Sequence, residues 1–257
     1  MYSLIACIKK EIFEGIKTYK FLIIAIGILF FAIADPIILK LTPMILQSQF
    51  GAVDPNMMKS MNLSQQGAIT QYAGDLFQLG MLITAFTLAG LVSSERTNKT
   101  LTMPISMGCK VSAVVFSKVI VYGLYIMIMT TIGMLTAYLY GGLIFKSEWI
   151  GILFAVKAGI LYGIFFVFML SILVLFSSML KKSFLAGILT LLLIYLLSAI
   201  GPIFKIEKYL PSNLMKIAGS FSNINSTDMI VTLFCTIAII AVMNILAVMW
   251  LKRVELV

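Results

Sequence analysis

The chain has 257 residues, 61% of them hydrophobic and 11% charged, against roughly 45–50% and about 25% in an average soluble domain. A net charge of +9 arises from 19 Lys and Arg against 10 Asp and Glu, set in short clusters between long apolar runs, which is the pattern of membrane topology and not of nucleic-acid binding. There is no histidine, which excludes His-based zinc sites, Ser-His-Asp and Cys-His nucleophile systems and imidazole haem ligation.

Residues 1–20 read as a helix. Leu4, Ile5, Ile8, Ile12, Ile16 and Tyr19 share one arc, while Lys9, Lys10, Glu11, Glu14, Lys17 and Lys20 take the other side, with Phe13 the exception. Such a helix lies on a membrane surface, here the inner leaflet, or packs on another part of the protein. No small-residue cleavage site follows, so the segment reads as part of the mature chain and not as a signal peptide.

A helical span needs about 20 mostly apolar residues. Six candidates follow, near 21–39, 76–94, 119–145, 158–180, 183–204 and 229–251. The fold class is therefore an all-α integral membrane protein, with 1–257 as a single transmembrane domain. On one side of the implied membrane lie Lys9, Lys10, Lys17, Lys20, Arg96, Lys99, Lys110, Lys118, Lys181, Lys182, Lys252 and Arg253; on the other lie Lys40, Lys59, Lys146, Lys157, Lys205, Lys208 and Lys216. Twelve against seven places both termini in the cytoplasm.

Polar residues at membrane depth are functional candidates by default. Asp35, followed by Pro36, falls in the outer half of the first span; it reads as a polar contact on a substrate path, as a partner for a lysine from another span, or as a wet carboxylate where the span ends. Lys118 and Lys157 stand at span ends, where long side chains snorkel to water. Asn244 reads as an inter-helix hydrogen bond. Phe165, Phe166 and Phe168, with Tyr122, Tyr125, Tyr138 and Tyr140, read either as a greasy path or as lipid-facing and interfacial residues. Two outer loops, 41–75 with Met44, Met57, Met58 and Met61, and 205–228 with Pro211 ahead of Leu214, Met215 and Ile217, are long enough to cap an external vestibule. The widely spaced Cys7, Cys109 and Cys235 read as packed, reduced thiols.

The most informative segment is residues 91–118, LVSSERTNKTLTMPISMGCKVSAVVFSK. With Glu95-Arg96 at the inner end of the second span, then Thr100-Leu101, Pro104 and Lys118, it resembles the ABC-2 type permease family, although Lys99 stands where that family usually has Gly. The N-terminal elbow helix, the six spans and Tyr209-Leu210-Pro211 before the last span extend the resemblance over the whole chain. It implies the permease subunit of a bacterial ATP-binding-cassette exporter in the plasma membrane, moving an amphipathic peptide, drug or lipid. It also implies that segment 95–110, through Glu95, Arg96, Thr100, Leu101 and Pro104, couples to the ATPase. A short helix pressed into a partner's groove needs apolar anchors and flanking charges, and Leu101, Met103, Ile105 and Met107 with Glu95, Arg96 and Lys99 supply them. Glu95 at a helix C-terminus meets the negative end of the dipole, a cost that Arg96 or a partner would offset.

The chain has no phosphate-binding loop of the GxxxxGK[ST] type, so no catalytic residue, metal or cofactor is expected in it, and ATP with Mg belongs to a separate soluble ABC ATPase, present as a dimer. A second permease copy or a sibling permease completes the assembly, and the lipid bilayer is the remaining partner; nucleic acid is not. The rival readings are a stand-alone secondary transporter, which needs several ionisable groups near the midplane, and a non-transporting immunity or binding protein using its outer loops. An intramembrane enzyme lacks the groups from which to build a nucleophile or metal site.

Overall fold

The structure is a computed structural model that describes residues 2–50, 62–101, 109–145, 151–204, 206–220 and 226–255. Its elements, in order, are α1 (Tyr2–Lys17), α2 (Lys20–Phe50), α3 (Gln65–Asp75), a π-helical turn (Leu76–Gly80), α4 (Met81–Leu88), α5 (Ser93–Thr97), α6 (Val111–Phe145), α7 (Ile152–Met179), α8 (Ser183–Phe204), a 3₁₀ turn (Glu207–Tyr209), α9 (Asn213–Gly219) and α10 (Ser226–Glu255). The described residues contain six helical segments long and apolar enough to cross a membrane, at Lys20–Ser48, Gln65–Thr97, Val111–Phe145, Ile152–Met179, Ser183–Phe204 and Thr227–Arg253. Each of the six expected spans falls within one of these segments or overlaps most of it. Most are longer than their charge-free cores, because helical hydrogen bonding continues through flanking polar residues that end an apolar count but not a helix. Thus α2 runs past Asp35, Pro36 and Pro43, and much of what read as the first outer loop is helix. Met57, Met58 and Met61 lie outside the described residues.

The fourth span is the axis of the bundle. In its most apolar window 72% of residues are buried, against 33% in the first and fifth spans and 17% in the last, and α7 packs against α6, α8, α9 and α10. Its contact with α6 is set by two glycines four residues apart, Gly159 and Gly163. A Cβ on Gly159 would stand 2.6 Å from the Cα of Thr131, and one on Gly163 would stand 2.9 Å from the Cα of Met127. The small-xxx-small spacing lets the two backbones touch, and Thr130 donates its hydroxyl across the gap to the Gly159 carbonyl at 3.2 Å. Phe165, Phe166, Phe168, Tyr122 and Tyr138 are buried in the same core. Their burial corrects the lipid-facing alternative for these five; of the group, Tyr140 is exposed. Asn244 donates to Ser171 of α7 at 3.1 Å, the inter-helix bond anticipated for it.

The second span is interrupted twice. A π-helical turn at Leu76–Gly80 follows Asp75, and the chain breaks again between α4 and α5. There Ser177 of α7 acts as an inserted cap: its hydroxyl accepts from the amides of Val92 and Ser93 at 3.1 and 3.0 Å and donates to the Ala89 carbonyl at 2.9 Å. One side chain thus satisfies the backbone groups that the break frees.

Because the obstacle at position 159 is backbone and not a flexible side chain, Gly159→Ala is expected to separate α6 from α7 and lower the thermal unfolding midpoint of the detergent-solubilised protein. Ala at Gly151, where a Cβ meets nothing within 4 Å, should leave it unchanged.

Candidate functional site

The helix α1 buries the face formed by Cys7, Glu11 and Gly15, spaced four residues apart, and leaves Ile5, Ile12, Ile16 and Tyr19 exposed. Glu11, expected on the wet side, is 1% exposed. The correction has a steric origin. Gly15 admits the Phe21 ring, which a Cβ there would meet at 2.5 Å, and Tyr19 turns the chain with a left-handed φ of 57°. Phe21 then packs at a tilt against Tyr125 and Tyr122 of α6, with ring centroids 4.4 and 5.4 Å away, and the Tyr125 hydroxyl donates to the Phe21 carbonyl at 2.6 Å. The elbow is clamped to α6, and Glu11 is carried inward with it.

What meets Glu11 is Lys118, seven residues into α6 and with no exposed surface. Its ammonium lies 2.8 Å from Glu11 Oε1 and 2.9 Å from Glu95 Oε1. Lys118 does not snorkel; it is the hub of a buried network. Lys10 bridges Glu95, Glu11 at 3.2 Å and Glu14 at 3.4 Å, and Lys20 meets Glu14 at 2.8 Å. Three carboxylates face three ammonium groups. One oxygen from each of Glu11, Glu14 and Glu95 falls within 4.8 Å of the others, a spacing that a metal ion could use, but the lysines already supply the compensating charge.

The electrostatics outside the spans follow from this arrangement. Burial works to raise the Glu14 carboxyl, but the hydrogen bond from Lys20 and the charges of Lys118, Lys20 and Lys10 outweigh it and hold it at about 2. Burial works against the Lys10 ammonium, and Glu11, Glu95 and Glu14 overcome it, so that Lys10 is raised.

Glu95 sits on α5, with its backbone carbonyl at the centre of a helix-ending turn. The Thr100 amide donates to it at 2.9 Å, the Lys99 amide donates to the Arg96 carbonyl at 3.1 Å, and Lys99 takes a left-handed φ of 56°. This is the paired-bond helix stop that glycine favours. Lys99 therefore keeps the turn that the expected glycine would make. Arg96 does not offset Glu95; its guanidinium donates to the Ser178 carbonyl of α7. The Thr100 hydroxyl returns to the Glu95 carbonyl at 3.2 Å. Leu101, expected as an anchor for a partner, is 2% exposed and belongs to this chain's own core. Pro104, Met103, Ile105 and Met107 lie outside the described residues.

Asp35 stands apart from this cluster. It is 1% exposed, neither carboxyl oxygen accepts a hydrogen bond from a lysine, hydroxyl or amide among the described residues, and the group facing it is a second carboxyl, Asp75, at the end of α3. It is buried and not wet, and among the described residues no lysine pairs with it. Sequence reasoning passed over Asp75 and Ser177 and placed Glu11 and Lys10 on the polar face of the first helix without a partner. Lys118 carried the signal, a lone charge with apolar residues following it, but its partners are 107 and 23 residues away in the chain and nothing local points to them.

The fold and this site define an all-helical chain with six candidate membrane-spanning segments, whose N-terminal helix, second-span terminus and third-span start are tied by charge. The family model for ABC-2 family transporter proteins matches residues 5–241, and the chain belongs to that family. It is a transmembrane permease. No curated protein matches it closely enough to stand as a relative.

Removing one member of a buried ion pair strands the others and typically costs about 3–5 kcal/mol. Lys118→Met should therefore lower the unfolding midpoint sharply, whereas Lys157→Met should not. Relief of the left-handed strain at position 99, roughly 1–2 kcal/mol, predicts a higher midpoint for Lys99→Gly and a lower one for Lys99→Val. Glu14 titrates below its ordinary value of 4.5, so its contribution is complete above about pH 5 and disappears as pH falls through about 2; acid unfolding of Glu14→Gln should lack that limb.

Proposed function

We propose that the chain is the membrane half of an ATP-driven exporter of amphipathic substrates, with both termini in the cytoplasm, α1 on the inner leaflet of a bacterial plasma membrane, and segment 95–110 docked in a groove of a soluble ABC ATPase. A dimer of that ATPase binds ATP and Mg, and a second copy of this permease or a sibling completes the transport path. The observation that carries the reading is the contact of buried Glu95 with buried Lys118 and with half-buried Lys10. A push on segment 95–110 reaches α6 and α1 through charges that cannot separate without being left unpaired. The exposed apolar side chains along α1, Ile5, Ile12 and Ile16, suit a helix half-sunk in an interface. Leu101 serves this reading from inside, holding the segment to the bundle.

The facing carboxyls Asp35 and Asp75 favour one alternative, a secondary transporter driven by an ion, because such carriers place ionisable groups within the membrane. A single experiment separates the two. With a photo-cross-linking residue in place of Met103, the complex purified with its neighbouring gene products should yield a covalent adduct to a soluble protein carrying a Walker sequence. A chain that purifies alone and cross-links only to lipid would overturn the exporter reading and direct attention to Asp35.

A further inference from the structure

Towards their C-terminal ends α7 and α10 leave a groove of about 340 Å³. Asn244 fastens α10 to Ser171 of α7 at 3.1 Å, and both helices run on past that bond. On α10, Leu246, Met249, Trp250 and Arg253 recur at the three- and four-residue steps that share one helix face. With Leu175 and Met179, one turn apart on α7, they line the groove. Met179, Leu246, Met249 and Trp250 are exposed, so the described residues leave the groove open. Its length is apolar and its lip is cationic. Lys252 precedes Arg253, and Lys181 and Lys182 follow Met179 within about 11 Å by chain length. Segments 179–183 and 249–257 together carry four cations against one carboxylate, Glu255.

We propose that this groove binds one anionic phospholipid, with part of an acyl chain along Leu175, Met179, Leu246 and Met249 and the phosphate at Arg253 and its neighbouring lysines. In a membrane-spanning chain the groove faces hydrocarbon, and lipid tail fills such a furrow because a void forfeits dispersion contacts. Trp250 sets the depth, since indole rings settle at headgroup level; Arg253, about one turn further on, then stands where phosphate lies. A basic site between spans at one membrane surface selects anionic headgroups. The volume is at the low end of the roughly 300–1,000 Å³ of ligand clefts, room for a length of one chain while the rest of the lipid stays in the bilayer. A free phosphate would meet charge only at Arg253 and apolar surface at the other five lining residues. A second copy packed symmetrically on this face would set four cations against four more, with one carboxylate a side. The site requires only that the chain span a membrane and does not rest on the exporter reading.

The chain has two tryptophans, Trp149 and Trp250, so Trp149→Phe leaves Trp250 as the only indole. The test reconstitutes that full-length variant in phosphatidylcholine vesicles in which brominated-chain phosphatidylglycerol, or brominated phosphatidylcholine, replaces a rising fraction of the lipid; bromine quenches indole on contact. Half-maximal quenching is expected at a mole fraction at least about fivefold lower for the anionic lipid. Arg253→Gln should bring the two lipids towards equality, and Lys157→Gln, near the start of α7, should not. Leu246→Phe, which keeps every charge but fills the groove, should also weaken the preference. Equal quenching by both lipids, the mark of an unselective annulus, would overturn the site. No quenching by either would overturn it too, by showing the groove covered by protein, a second copy included. A preference that survives Leu246→Phe unchanged would leave the lipid held by surface charge alone, and relief of quenching by inorganic phosphate beyond that given by chloride at equal ionic strength would point to a soluble anion; each contradicts the proposal.

Discussion

An ammonium group with no access to water must have carboxylates around it, and the end of the bundle at which α1 lies is arranged by that requirement. Lys118 is held by Glu11 from the first helix and Glu95 from the end of the second span, so three parts of the chain are brought to one point by a single charge. The surrounding charges balance, three against three, which is what lets ions reside in a low-dielectric setting where an isolated one would be costly by several kcal/mol. Such a network adds less to stability than a good apolar core would. What it fixes is arrangement: no member can move far alone.

The remainder of the bundle makes that arrangement firm. The backbone contact of α6 with α7 at Gly159 and Gly163 positions the helix that carries Lys118. Ser177 and Ser178, at the end of α7, hold the broken end of the second span by its amides and by Arg96. Glu95 is thus presented from a five-residue helix, α5, whose start is capped by a neighbour and whose end is closed by the left-handed Lys99. A short, externally held element of this kind moves as a unit or not at all, which is the property that a segment carrying force between two subunits requires.

Much of this was legible from the residues. Apolar runs count the spans, because the membrane imposes a length that sequence obeys. The Glu95–Lys118 segment marked the site, while Lys99 in a glycine position counted against a turn that the backbone nevertheless adopts. The pairings were not legible. Periodicity placed Glu11 on a wet face because α1 taken alone has a clean apolar arc, and only the Gly15–Phe21 contact reveals that a different face turns inward. Lys118 looked like a snorkelling lysine because the alternative needs partners from distant helices. Leu101 looked like an anchor for another protein because exposure cannot be read from residue type. Asp35 was noticed, but Asp75 stood at the edge of a polar loop and gave no sign that it would face Asp35.

The central claim is that Glu95 and Lys118 act as one unit joining the end of the second span, and with it the proposed coupling segment, to the third span. A double-mutant cycle with Glu95→Gln, Lys118→Met and both together, followed by thermal unfolding of the purified protein, measures that directly. The account predicts a coupling energy of about 1–3 kcal/mol, the double variant being more stable than the sum of the two singles implies. Additivity within about 0.3–0.5 kcal/mol would contradict it.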